Sequence, residues 1–173
     1  MPNMAAIING HNKKVLEENQ PLERGGCNCQ RRYRNNCPLD GECLSTKVLY
    51  EARLSSTEEN YDDKIYKGIT KPEFKSRLGN HTQDFNNRKH LKSTELSKEV
   101  WSIKDKGYQY AINWRIIKQY QTYTPASKKC MLCLNEKLEI LEHNGNNILN
   151  KRTELVSKCR HRNEYMISQY DPT

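Results

Sequence analysis

Four cysteines fall between residues 27 and 43, and this cluster constrains the fold of the chain more than any other feature. The four are Cys27, Cys29, Cys37 and Cys43. Four thiolates complete the tetrahedral coordination of a structural zinc ion, and the glycines and proline around them provide tight turns. Few apolar residues lie between the cysteines, so the segment needs a metal or a domain surface to order it. The sequence predicts a zinc-knuckle-like segment; ordinary thiols in a linker are the alternative.

Three further cysteines and a histidine form a second candidate metal site in the C-terminal part of the chain. Cys130 and Cys133 have the C-x2-C spacing of a zinc half-site. Cys159 and His161 would complete a set of four ligands. The alternative is that these thiols are buried or solvated beside the start of a helix.

The composition limits the class of protein. The chain has 173 residues, of which 35% are apolar, and a formal net charge of +8. A small core of this kind is expected to need the support of the cysteine clusters. No apolar run approaches the roughly 18 residues of a membrane span, and the first residues lack the basic leader of a secretory signal. Seven cysteines then indicate a reducing, intracellular compartment, and the positive charge favours a polyanionic partner such as nucleic acid.

The periodicity of apolar residues predicts an α+β fold. Strands are predicted at 48–54, 65–70 and 110–117, and the first two form a hairpin with a long polar tip. Helices are predicted at 4–18 with a break at Gly10, from Pro72 onwards, from Ser93 or Thr94 to Gly107, at 132–142 and at 147–167. Leu134, Leu138 and Leu141 mark the apolar face of the helix at 132–142. The order of these elements predicts a small three-stranded antiparallel sheet flanked by helices.

Five polar side chains on these elements suit a common chemistry. Arg77 and His81 are four residues apart, so both project from one helix face, and an arginine fork suits a phosphodiester. Tyr50 and Tyr66 lie on neighbouring strands. Glu136 lies between two apolar residues of its helix, an unusual setting for an acid unless it binds a divalent ion. The alternatives are tyrosines in the strand core, a solvated face on the helix and a surface acid.

Taken in chain order, these residues and their neighbours resemble the signature of the GIY-YIG nuclease domain over about 47–155. That signature has a strand ending in tyrosine, a second strand with Tyr-x-Gly, an arginine on the next helix, and later a metal-binding glutamate and an asparagine. The matching residues are Val48-Leu49-Tyr50, Tyr66-Lys67-Gly68, Arg77 followed by His81, Glu136 and Asn150. Gly68 belongs to the expected catalytic set, and Asn150 is expected to brace the backbone. The arrangement is most similar to the endonuclease ends of Penelope-type retroelement polyproteins.

The resemblance implies a site for metal-dependent phosphodiester hydrolysis. Mg²⁺ or Mn²⁺ held by Glu136 is expected to polarise the phosphate and stabilise the leaving oxygen. Tyr50 is expected to deprotonate or orient the attacking water, a role that requires a phenol whose pKa is lowered by a cation such as Arg77. Tyr66 and His81 are expected to position the phosphate or to move a proton.

Two basic stretches flank these residues. The side chains expected to contact the DNA backbone are Lys71, Lys75, Arg88, Lys89, Lys151 and Arg152. Such contacts give salt-sensitive and largely sequence-independent binding. The alternative is that both stretches are solvated faces.

The residues and the resemblance together predict a metal-dependent endonuclease that nicks DNA for a mobile element in the nucleus, with catalytic Mg²⁺ or Mn²⁺ and structural Zn²⁺. An upstream reverse transcriptase domain in a longer polyprotein is a further expectation. The predicted divisions are an N-terminal helix and linker at 1–22, a cysteine-rich zinc segment at 23–46, a nuclease domain at 47–156 and a basic tail at 157–173. The alternatives are an inactive, zinc-stabilised nucleic-acid-binding module and an interaction domain whose charge is incidental.

Overall fold

The computed structural model describes residues 3–18, 25–29, 37–127, 129–151 and 159–165. In chain order the elements are α1 (Met4–Glu18), β1 (Val48–Ser56), β2 (Lys64–Thr70), α2 (Phe74–Asn86), α3 (Glu95–Asp105), β3 (Tyr110–Gln119) and α4 (Met131–Leu141). These elements confirm the α+β class, with a three-stranded antiparallel sheet and four α-helices in the described residues. None of the described helices is both long and apolar enough to cross a membrane.

β1 is the central strand of the sheet, which has the order β2-β1-β3. Both neighbours run antiparallel to it, and the register places Tyr50 opposite Gly68 on β2 and Ile116 on β3. The three predicted strands are confirmed, although β1 continues to Ser56 and shortens the predicted hairpin tip. Successive side chains alternate between the two faces of a strand, so the face that carries Tyr50 also carries the apolar residues two positions away.

α2 and α3 cover this face of the sheet. Phe74 and Phe85 of α2 are buried against it, together with the predicted apolar stripe of α3, which is Leu96, Val100 and Ile103. α3 follows Thr94 as predicted, because the threonine hydroxyl accepts a hydrogen bond of 3.0 Å from the Ser97 N–H. α2 begins two residues after Pro72, which precedes the N-cap residue and lies outside the helix, so that the predicted start is early.

α4 packs on the opposite face of the sheet, against β2 and β1. The side of α4 that meets the sheet is not the one that carries Leu134, Leu138 and Leu141. Leu132 and Ile140 are buried, whereas Leu134, Leu138 and Leu141 are between 37% and 49% exposed. The prediction of a leucine face was wrong because α4 carries two apolar stripes, and its own spacing cannot show which of them meets the sheet.

The helix predicted at 147–167 is absent from both described ends of that range, and residues 152–158 lie outside the description. Ile148 instead forms a parallel bridge with Ile65 at the beginning of β2. Backbone groups that pair with the edge of a sheet are not available for helical hydrogen bonds, so the segment after α4 is an extension of the sheet edge.

α1 runs without a break through Gly10, although the sequence predicts an interruption there. Its residues Met4, Ile7 and Ile8 are exposed. Most of the linker that the sequence predicts after α1 lies outside the described residues.

Candidate functional site

The phenol of Tyr50 is the centre of the candidate site. Its hydroxyl oxygen lies 2.8 Å from His81 Nε2 and accepts a hydrogen bond of 3.1 Å from Arg77 Nε. Arg77 and His81 are one turn apart on α2, so one face of the helix delivers both to the strand. Tyr50 and His81 are fully buried, and Arg77 is partly exposed. The structure therefore brings three of the predicted site residues to one point.

Gly68 lies directly across the strand pair from Tyr50 and allows the tyrosine ring to approach the β2 backbone. A Cβ atom on Gly68 would lie 2.6 Å from Tyr50 Oη, 2.7 Å from its Cζ and 3.1 Å from a ring carbon of Tyr66. Tyr66 borders the same space, with its ring centroid 6.0 Å from that of His81. The absence of a side chain on Gly68 is therefore a steric requirement of the arrangement.

Replacement of Gly68 by alanine is expected to destabilise the protein by about 1–3 kcal/mol, as overpacking in a core does, because the new methyl group meets Tyr50. Gly79→Ala on α2 is the matched control, since a Cβ there has nothing within 4 Å. That variant is expected to gain about 0.5–1 kcal/mol from the higher helix propensity of alanine. Urea unfolding measures both changes. An unfolding free energy of Gly68→Ala equal to that of the wild type would contradict the steric account.

Three aromatic rings that were not predicted as site residues enclose the histidine and the tyrosine. Trp114 of β3 lies 5.3 Å from His81 and 5.9 Å from Tyr50, measured between ring centroids. Phe85 stacks on His81 at 5.8 Å, and Phe74 meets Tyr50 edge-on at 5.1 Å. The available signal was the alternation that places Trp114 on the inner face of its strand. The rings pack around both polar side chains and restrict their motion.

Burial controls the protonation of these groups. It raises the pKa of Tyr50, and the Arg77 charge opposes this shift only in part. The expectation of a lowered tyrosine pKa is therefore wrong, because desolvation of the phenolate outweighs its attraction to the guanidinium. Burial, together with the Arg77 charge, lowers the pKa of His81 to about 3, so His81 is neutral at physiological pH.

The direction of the hydrogen bond between His81 and Tyr50 depends on the tautomer of the neutral imidazole. His81 Nδ1 is buried and has no hydrogen-bond partner in the part of the chain that the structure describes. With the proton on Nδ1, His81 Nε2 accepts from the Tyr50 O–H, and the Nδ1–H is left without an acceptor. With the proton on Nε2, His81 donates to the Tyr50 oxygen, and the O–H of the neutral phenol is left without an acceptor. Either tautomer therefore leaves one buried donor of the pair unsatisfied.

Two further predicted site residues are Glu136, which lies on α4, and Asn150, which lies in the segment after α4. Glu136 is half-buried, and its charge is one of the lesser causes that raise the pKa of Tyr50 and of Tyr66. Asn150 holds both backbone groups of Lys67: it accepts from the N–H at 2.7 Å and donates to the carbonyl at 2.8 Å. The asparagine therefore fixes the β2 backbone immediately before the glycine.

The first cysteine cluster forms what we call the N-terminal centre. Its members are Cys27, Cys29, Cys37 and Cys43, and their Sγ atoms all lie within 4.8 Å of one another. Cys43 Sγ lies 3.5 Å from both Cys27 Sγ and Cys29 Sγ. Left-handed backbone at Asp40 and Gly41 makes the turn that returns the chain to the cluster. The geometry and the soft sulfur ligands suit one tetrahedral zinc ion.

The second cluster forms the C-terminal centre. Its members are Cys130, Cys133, Cys159 and His161, whose ligand atoms also lie within 4.8 Å of one another. His161 Nδ1 lies 3.3–3.5 Å from each of the three sulfurs, so all four ligand atoms converge. Tyr123 donates a hydrogen bond of 3.2 Å to the His161 carbonyl. This centre suits a second zinc ion and ties the segment at 159–165 to the start of α4.

Metal analysis of the purified chain is expected to find two zinc ions per molecule, one for each centre. A chelator is expected to remove about 3–5 kcal/mol of stability, which lowers the melting temperature by roughly 10 °C for a chain of this size. Inductively coupled plasma mass spectrometry and thermal unfolding measure the two quantities. A metal-free protein whose melting temperature does not respond to the chelator would contradict the assignment of both clusters as zinc sites.

Three of the six basic side chains predicted to contact DNA are in ion pairs. The pairs are Lys71–Glu164 at 2.7 Å, Arg88–Asp105 at 2.9 Å and Lys151–Glu95 at 3.1 Å. Lys75 contacts Cys29 Sγ at 3.6 Å and so belongs to the N-terminal centre. Lys89 is exposed, and Arg152 lies outside the described residues.

Arg77 also lines an open cleft of about 360 Å³ beside the buried tyrosine. One wall is α2, where Ser76 and Asn80 are exposed one turn apart, and the other includes His161 of the C-terminal centre. Lys71 also lines the cleft, together with the apolar side chains of Ile69 and Pro72. The volume of the cleft is within the roughly 300–1,000 Å³ of ordinary ligand sites, and Arg77, Lys71, Ser76 and Asn80 are residue types that bind phosphate oxygens.

Comparison with known proteins finds no relative of this chain. No protein-family model, no curated protein and no solved structure matches the chain.

Proposed function

We propose that this chain is a metal-dependent DNA endonuclease of the GIY-YIG type that hydrolyses one strand of a duplex. The observation that carries the proposal is the convergence of Arg77 and His81 on the Tyr50 hydroxyl directly above Gly68. An internal tyrosine could be held by apolar contacts alone. A guanidinium and a neutral imidazole on the same oxygen are a costly arrangement in a core unless the oxygen or its neighbourhood takes part in chemistry.

In the proposed reaction, the phenolate form of Tyr50 accepts a proton from the attacking water. The water oxygen bonds to phosphorus, the bond from phosphorus to the leaving sugar oxygen breaks, and that oxygen takes up a proton from solvent. In that form the Tyr50 oxygen accepts from Arg77 Nε and, with the imidazole proton on Nε2, from His81, and both bonds stabilise the base. The partly exposed guanidinium of Arg77 also lines the cleft, where it suits the phosphate whose charge rises in the transition state.

Glu136 is the residue that fits a divalent ion. It is a half-buried carboxylate whose charge acts on the Tyr50 phenol, and Mg²⁺ typically takes one or two carboxylates and keeps several waters. A bound Mg²⁺ or Mn²⁺ supplies Lewis-acid stabilisation of the phosphate and of the leaving oxygen. Neutralisation of the Glu136 charge also removes one of the effects that raise the pKa of Tyr50 and so favours the phenolate.

The cleft beside Arg77 is the proposed path of the DNA strand next to the cleaved phosphate. It supplies polar groups from Ser76 and Asn80, and the Lys71 ammonium would exchange its pair with Glu164 for a phosphate. The origin that we propose, a mobile element with a reverse transcriptase upstream and action in the nucleus, rests on the resemblance alone.

Nicking of supercoiled plasmid tests the proposed activity. The purified chain is expected to convert supercoiled DNA to open circles in Mg²⁺ or Mn²⁺, and EDTA is expected to stop the reaction. The activity should coincide with the protein peak in gel filtration and be absent from a mock preparation. Zinc-loaded, folded protein that leaves the plasmid intact in both metals would overturn the proposal.

A second candidate is a zinc-stabilised nucleic-acid-binding module without catalysis. It is favoured by one observation, the complete burial of Tyr50 and the raised pKa that follows, which opposes a base. Its signature is DNA binding that weakens steeply with salt, with no nicking. Weak binding that does not depend on salt would favour an interaction domain instead.

A further inference from the structure

The N-terminus of α2 is held by the N-terminal centre and not by a cap of its own. Glu73, the N-cap residue, makes no side-chain capping bond. The Phe74 N–H donates to the Ser45 carbonyl at 2.9 Å, and the Lys75 N–H donates to the Cys43 carbonyl at 2.8 Å. The first amides of a helix have no partner within the helix, so the loop that carries a metal-site cysteine provides the cap of α2.

The lysine of this first turn also contacts the sulfur cluster. Lys75 Nζ lies 3.6 Å from Cys29 Sγ and donates to the Asn28 side chain. Four thiolates around Zn²⁺ carry a net negative charge, which an adjacent ammonium offsets. α2 is therefore connected to the centre by backbone hydrogen bonds and by a charge contact.

Packing makes the connection rigid. Cys29 and Cys43 are buried in one cluster with Phe74 and Tyr50, the central phenol of the candidate site. Gly25 brings the segment at 25–29 against the same loop, because a Cβ there would lie 2.1 Å from a backbone atom of Ser45. A close-packed interior transmits displacements, so a change in the loop reaches the helix.

We propose that metal occupancy of the N-terminal centre sets the position of α2 and hence of Arg77 and His81. The centre is a positioning device, not a catalytic metal: it touches neither the phosphate nor the attacking water. Loss of the metal frees the loop of Cys43 and Ser45, removes the cap and lets the first turn of α2 move. The consequence for catalysis rests on the proposed function, whereas the consequence for α2 does not.

The first test measures α2 without reference to activity. Cys29→Ser and Cys159→Ser are each expected to lose one of two zinc ions, the first from the N-terminal and the second from the C-terminal centre. Amide hydrogen exchange by NMR is expected to accelerate at Phe74 and Lys75 at least about tenfold in Cys29→Ser and to be unchanged in Cys159→Ser. Unchanged exchange in a folded Cys29→Ser protein of lowered zinc content, or equal acceleration in both variants, overturns the proposal.

A second variant keeps every ligand and covers the case in which Cys29→Ser does not fold. Lys75→Met is expected to retain two zinc ions, to accelerate exchange in the first turn of α2 and to lower kcat several-fold at unchanged KM for DNA. Lys75→Arg should restore most of the rate. A raised KM with a smaller salt dependence and an unchanged kcat would identify Lys75 as a phosphate contact and overturn the positioning role. A wild-type chain without nicking activity removes the proposed function but leaves the exchange result decisive for α2.

Discussion

Replacement of Glu136 by alanine is expected to lower the metal-dependent nicking rate by at least about 10³-fold, because the carboxylate is the proposed ligand of the ion that stabilises the leaving oxygen. Removal of its charge would by itself lower the pKa of Tyr50 and favour the base. A loss of rate therefore reports the loss of the metal and not of the phenolate. Affinity for DNA is expected to change little, since an acid contributes no attraction to phosphates.

Glu142→Ala is the matched control for this substitution. Glu142 follows the last turn of the same helix, α4, and is exposed. Its replacement is expected to leave both the rate and its dependence on Mg²⁺ concentration unchanged. Nicking by Glu136→Ala at the wild-type rate would show that the metal is held elsewhere or that the nicking comes from a contaminant.

Replacement of Arg77 by alanine is expected to lower the nicking rate by about 10²–10³-fold, the usual effect of removing one donor from a site where charge develops. Arg77 acts twice in the proposed mechanism: its Nε donates to the Tyr50 oxygen, and its guanidinium lines the cleft. Arg77→Lys keeps the charge but loses the planar fork, so it should lie between the alanine variant and the wild type. Single-turnover cleavage of a labelled duplex measures the rates.

Arg88→Ala provides the comparison for a general loss of positive charge. Arg88 is exposed and forms a bidentate pair with Asp105 away from the candidate site. A surface pair of this kind contributes little to stability, and its loss should leave the rate of cleavage of bound DNA unchanged. An Arg77→Ala protein that cleaves like the wild type would refute the assignment of the site.

The parts of the fold that follow from local patterns were predictable. Alternation of apolar residues defines all three strands, and Thr94 with the stripe that follows it defines α3. The orientation of α4 was not predictable, because the choice between its two apolar stripes depends on a sheet face that is formed by residues far away in the chain. The segment after α4 was mistaken for a helix for the same reason, since Ile148 pairs with β2.

The candidate site was likewise predictable only in part. The sequence order of Tyr50, Arg77 and His81 was sufficient to select residues that the fold places in contact. The direction of the Tyr50 pKa shift could not be predicted from this order, because it depends on how completely the phenol is buried. That burial depends on the aromatic rings packed around the phenol. One of them, Trp114, belongs to β3, the last of the three strands in chain order.

The two metal centres differ in the span of chain that each one closes, and this difference gives them different places in biosynthesis. The ligands of the N-terminal centre all precede β1, so they leave the ribosome before any part of the sheet. The C-terminal centre joins Cys130 and Cys133 to Cys159 and His161, which are translated after every strand and after Asn150. A nascent chain can thus acquire its first zinc ion early, while the cleft wall and the asparagine clamp on β2 form only near the end of translation.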